Sequence, residues 1–137
     1  MREIDKIIVH CSATREGQDI PVETIKKWHV EGRGWSDIGY HFYIDINAKI
    51  WKGRDIDKSG AHTKGHNKTS IGICYCGGVE ADGKTPKDTR TESQKESLLH
   101  VLKTLKAMFP ESTIYSHNEF ANKACPSFNA SNEYKSL

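Results

Sequence analysis

Three residues with good metal-donor side chains stand out in this chain: His10 near its start, and His117 and Cys125 near its end. Imidazole nitrogen and thiolate sulfur both bind zinc well. A set of two histidines and one cysteine leaves a fourth position for water, the pattern of a catalytic rather than a structural zinc. Spacing alone leaves a plainer reading open, in which each is a buried or otherwise satisfied polar residue, because the three match no local metal-binding motif. Lys123 lies two residues before Cys125 and could stabilise developing oxyanion charge, or be a surface lysine. Tyr40, after Gly39, could donate a hydrogen bond or relay a proton; its alternative is a tyrosine packed at a strand edge. His62, His66 and Asn67 occupy a polar stretch and could line a substrate cleft or stay solvated. Cys74 and Cys76 alternate on a strand-like run and share a face, where core packing is the favoured reading. Cys11 should point away from His10 along an extended chain.

The elements that must position these groups are legible in outline. Ile4 to Val9 is a short apolar run with adjacent β-branched residues and reads as a buried strand delivering His10 to its end. Residues at strand ends project into the crevices that α/β folds use as sites. Asp19 and Pro21 open a helix carrying Val22, Ile25, Trp28 and Val30 at helical spacing, with Gly32 and Gly34 ending it. Tyr40 to Ile46 and Lys49 to Lys52 form a β-hairpin around Asn47-Ala48. Arg54 to Thr69 is expected as a long surface loop of functional interest. Ser70 to Cys76 reads as a central strand, and Gly83 to Arg90 as a polar, mobile loop. Thr91-x-x-Gln94 is a capping box opening the longest helix, with Leu98, Leu99, Leu102, Leu105, Met108 and Phe109 as its buried face and Pro110 as its stop. Thr113 to Tyr115 is a short strand delivering His117, and Asn129 to Leu137 is a weak helix or a tail. Alternating strands and helices predict a mixed α/β domain spanning 1–137, with a central mixed sheet flanked by helices.

Bulk composition narrows the function classes. A chain of 137 residues, 36% hydrophobic and 28% charged, is long enough for one well-buried core. A net charge of +2, with no basic run and no aromatic-rich basic stripe, argues against a nucleic-acid partner. No apolar stretch approaches the length of a membrane span. The acidic, non-apolar start Met1-Arg2-Glu3-Ile4-Asp5-Lys6 is unlike a signal peptide, so the expectation is cytoplasmic synthesis and an unspecified route outward. In that compartment Cys11, Cys74, Cys76 and Cys125 are expected as free thiols or metal ligands rather than two disulfides.

Several runs carry a resemblance: Ile8-Val9-His10-Cys11-Ser12-Ala13-Thr14, Gly39-Tyr40-His41-Phe42, Ser70-Ile71-Gly72-Ile73, His117-Asn118-Glu119, and Lys123-Ala124-Cys125-Pro126-Ser127-Phe128. In order and spacing they closely resemble the zinc-dependent N-acetylmuramoyl-L-alanine amidases of phage lysozyme type, a family that shares its fold with the peptidoglycan recognition proteins. The resemblance runs over about residues 4 to 128. It implies that His10, His117 and Cys125 are zinc ligands and that Tyr40 and Lys123 are catalytic. It also implies a peptidoglycan substrate, cut at the amide between N-acetylmuramic acid and L-alanine. Asn118 stands where a second consecutive histidine occurs in the phage lysozyme that these runs match, and the His66-Asn67-Lys68-Thr69 segment differs in detail. One relative's regulation of an RNA polymerase depends on surface detail and is not carried over. Two rivals remain: a peptidoglycan-binding module that does not cut, and a regulatory protein-binding domain. Loss of the thiolate ligand is the expected mark of the first, and Cys125 is present.

Overall fold

A computed structural model describes residues 2–137. Its elements in chain order are β1 (Lys6–Cys11), β2 (Thr14–Arg15), α1 (Val22–Arg33), β3 (Phe42–Ile44), β4 (Ile50–Lys52), β5 (Ser70–Tyr75), β6 (Gly78–Val79), α2 (Glu92–Met108), β7 (Thr113–Ser116) and α3 (Ala130–Glu133). Short 3₁₀ turns at Asn67–Thr69 and His117–Glu119 precede β5 and follow β7.

The main sheet has the order β4-β3-β5-β1-β7, which puts β5 at its centre as expected from its unbroken apolar run. β1 runs parallel to both β5 and β7, β3 runs parallel to β5, and only β4 is antiparallel, as the return strand of the hairpin. Alternation along β1 and β5 sends side chains to two layers. Ile7, Val9, Cys11, Ile71, Ile73 and Tyr75 pack with Leu98, Leu102 and Leu105 of α2. The opposite face carries Cys74 and Cys76 against Tyr43 of β3, Ile20 just before α1, and Ile25 of α1. Both cysteines are fully buried, in keeping with core packing, and all four cysteines are free thiols. No helix among the described residues is long and apolar enough to cross a membrane.

Helix ends follow the sequence signals. Thr91 and Gln94 form the capping box of α2, and Phe109, just before Pro110, caps its other end. Gly34 takes the left-handed conformation that closes α1, with its N–H on His29. Some expectations need correction. Trp28 is 45% exposed and Met108 is 47% exposed, because each helix buries a narrower stripe than its apolar residues span; Val101 joins the α2 stripe instead. The 54–69 segment is a surface loop as expected, but a packed one, which buries Gly60 and Thr63 and ends in the 3₁₀ turn before β5. The 83–90 segment ends in structure, since Arg90 has a side-chain exposure of 1% between Asp88 and Glu133. That contact helps dock α3, whose Ala130 and Tyr134 join the main core, so the C-terminal segment is not a tail.

Candidate metal centre and cleft

β1 and β7 are adjacent and parallel, with Val9 opposite Ser116, so His10 and His117 emerge side by side at the carboxyl ends of neighbouring strands. Their rings lie 4.4 Å apart. A second capping box, Ser116 with Glu119, turns the chain immediately after β7 and fixes the direction of His117. The chain then returns, and the backbone N–H of Cys11 donates to Cys125 Sγ at 3.1 Å. Tyr75 Oη donates to Pro126 O and Ser127 Oγ to Gly78 O, each at 2.7 Å, which pins the segment beyond the cysteine. One donor atom from each of His10, His117 and Cys125 lies within 4.8 Å of the others.

The donor set fits a zinc ion by its chemistry and by one orphaned atom. His117 Nδ1 is buried without a hydrogen-bond partner. An unpaired buried imidazole nitrogen is costly unless something accepts its lone pair. The hydrogen bonds of the His10 ring run through Nε2, leaving Nδ1 for another partner. Burial first, then the neighbouring charges of His62, His117 and Lys123, holds His10 well below the ordinary histidine range. Burial and then Lys123 act the same way on His117. Both rings are thus neutral, as ligation requires. The Cys11 hydrogen bond and burial push the Cys125 thiol up, so a thiolate there calls for a cation beside it.

A cleft of about 460 Å³ opens beside these donors. Tyr40, His62, Asn67, His117 and Lys123 all line it, so five residues singled out in the sequence share one cavity. Tyr40 packs its ring 5.1 Å from that of His10. Burial, then the thiols of Cys74, Cys125 and Cys11, raises its phenol well above the ordinary range. Lys123 also lines the cleft and is exposed. His62 and Asn67 have internal commitments as well: Asn67 Oδ1 accepts from the backbone N–H groups of His62 (3.0 Å) and Thr63 (2.9 Å). His66 stacks near Phe120 at 4.3 Å, outside the lining. His29, Arg33, Trp35 and Lys64 also line the cleft and were not legible beforehand. Their one local signal is the capped end of α1: Gly39 N–H donates to His29 Nδ1 at 2.9 Å, and Arg33 lies over the Trp35 ring.

Comparison with known proteins identifies the family and the fold. The family model described as N-acetylmuramoyl-L-alanine amidase matches residues 1–128. The endolysin of Escherichia phage T7 is 44% identical over 124 residues, covering 90% of this chain and 81% of the phage protein. The amidase LysC from Clostridium intestinale superposes with a TM-score of 0.79 at 26% identity, over 96% of this chain and 82% of that one. Bumblebee PGRP-SA, at 22% identity, shares the fold with a TM-score of 0.79 over 100% of this chain and 83% of its own. The chain belongs to the N-acetylmuramoyl-L-alanine amidase family.

Proposed function

We propose that this protein hydrolyses the amide between the lactyl group of N-acetylmuramic acid and L-alanine in bacterial peptidoglycan, using one zinc ion held by His10, His117 and Cys125. The observation that carries this reading is the convergence of those three donors to within 4.8 Å of one another, beside a cleft that His117 lines together with Tyr40 and Lys123, in a chain of the amidase family. Zinc, when bound there, supplies Lewis-acid polarisation of the scissile carbonyl and a water of lowered pKa. The protein's own groups do the rest. Tyr40, neutral at physiological pH, offers its O–H to the oxygen that gains charge as water adds to the carbonyl carbon. Lys123 offers an ammonium group to the same charge. When the C–N bond breaks, a proton must reach the departing alanine nitrogen, and these two groups are the donors at hand. The cleft walls of Trp35, His29 and Phe120 provide the apolar and aromatic surface against which a sugar and peptide can lie. The site of action is the cell wall.

The test is mass analysis of purified muropeptides after incubation with the protein. The expected products are peptides with a free L-alanine amine and sugars ending in an intact lactyl acid, together gaining one water. Protein purified without chelator should carry about one equivalent of zinc. A zinc-loaded, folded protein that binds muropeptide and releases no product would instead be a recognition module.

A further inference from the structure

His62 occupies a place made for its ring. A Cβ on Gly72 would lie 2.6 Å from His62 Cγ and Cδ2, and a Cβ on Gly60 would lie 2.7 Å from Cδ2. Neither glycine has a positive φ, so the lack of a side chain, not backbone freedom, is what these positions contribute. In this slot His62 Nδ1 lies 2.8 Å from His10 Nε2, and His62 Nε2 lies 3.3 Å from Ser70 Oγ. Thr63 Oγ1 is 3.0 Å from His62 Nδ1 and 3.3 Å from His10 Nε2. Asn67 clamps the backbone that carries His62, as described above. The ring therefore stands edge-on to His10, with an interplanar angle of 89°.

We infer that His62 is a positioning residue for the metal centre: it accepts the His10 Nε2 proton and so fixes which nitrogen of His10 faces the metal. An imidazole has one N–H in its neutral form. Held on Nε2 by His62, that proton leaves Nδ1 bare, and the ring cannot rotate without breaking the bond. Ligating histidines are commonly oriented in this way by a partner on the other nitrogen, usually an oxygen; here a second histidine takes that part. His62 then donates from Nε2 to Ser70 Oγ, and Thr63 Oγ1, 3.3 Å from His10 Nε2, shares the same His10 proton as a second, longer acceptor. Of the two residues expected at the substrate, His62 acts through His10, and Asn67 acts through His62.

This inference rests on the zinc reading above, and the test separates the two. Zinc affinity is measured by chelator competition on wild type, His62→Asn and His62→Ala, with the His10 side-chain tautomer read by nitrogen NMR of the metal-free proteins. Asparagine keeps an acceptor at the position of Nδ1; alanine removes it. The expected result is a 10- to 100-fold loss of zinc affinity in His62→Ala, a much smaller loss in His62→Asn, and an Nε2-protonated His10 in wild type alone or with asparagine. Gly72→Ala, which displaces the ring, should weaken zinc in the same direction while a thermal melt reports whether the fold survives. Equal zinc affinity in all His62 variants, or a His10 proton on Nδ1 in wild type, overturns the positioning role and leaves the zinc centre standing. Wild type without measurable zinc affinity overturns both.

Discussion

Tyr40 and Lys123 line one cleft, one packed beside a buried histidine and the other exposed, and this difference predicts different mutants. Lys123→Ala removes a charge that solvent already covers, so fold and zinc content should persist. Its kcat should fall by roughly 10²-fold, by analogy with removing one oxyanion donor, with little change in KM. Steady-state kinetics on a soluble muramyl peptide measure this; lost affinity with kcat preserved would make the lysine a substrate clamp. Tyr40→Phe deletes only the hydroxyl, and its effect should likewise fall on kcat. Cys125→Ser replaces the thiolate by a poor neutral-pH zinc donor. Zinc content by elemental analysis should drop well below one equivalent, and full occupancy would remove the cysteine from the ligand set.

At the scale of elements, the capped helix α2 and the segment before it behave oppositely. Thr91 accepts from Gln94 N at 3.0 Å, and Gln94 Oε1 accepts from Thr91 N at 3.0 Å. Thr91→Ala should cost about 1 kcal/mol, lowering the melting temperature by about 4 °C in a thermal scan. Just upstream, Lys84 sits at the tip of an exposed turn closed by Asp82 and by backbone hydrogen bonds between Glu80 and Gly83 and between Glu80 and Thr85, whereas Arg90 is enclosed. Limited trypsin digestion should therefore cut first after Lys84, although Arg90 belongs to the same polar stretch of sequence. A first cut after Arg90 would mean that the segment opens as a unit.

Across the whole molecule, Arg90 ties the chain's last helix to the rest. Its guanidinium donates to both Asp88 oxygens and both Glu133 oxygens and stacks on Phe128 at 3.4 Å. The Arg90 hydrogen bond is the main reason that the Glu133 carboxyl is held below its usual range. Burial pushes Asp88 up, but its Arg90 hydrogen bonds and charge outweigh this and leave it lowered. Depressed carboxyls stabilise the fold above their unfolded pKa values, near 4. That contribution is lost as pH falls through the lower folded values. Melting temperature should thus decline on acidification below about pH 4, and less steeply in Asp88→Asn/Glu133→Gln. Identical slopes in variant and wild type would show that the network does not couple to folding. Arg90→Met should cost about 3 kcal/mol, toward the low end for a broken buried pair because both carboxylates keep some solvent.

What the sequence determined by itself was local or chemical. The capping box of α2, the glycine stop of α1 and the apolar runs of β1 and β5 are written in neighbouring residues, because hydrogen bonds within a few positions decide them. The donor types of His10, His117 and Cys125 were equally plain, and the resemblance assigned them a common purpose. Only the tertiary structure decided that they meet, since parallel pairing of β1 with β7 joins segments from opposite ends of the chain and no periodicity encodes it. The same holds for His62. Its slot exists because Gly60 and Gly72, on a loop and a central strand, both lack a side chain at one point in space. Arg90 fell in a stretch expected to be mobile for the converse reason: beyond the neighbouring Asp88, its partners Phe128 and Glu133 lie just before and within α3, some forty residues later in the chain.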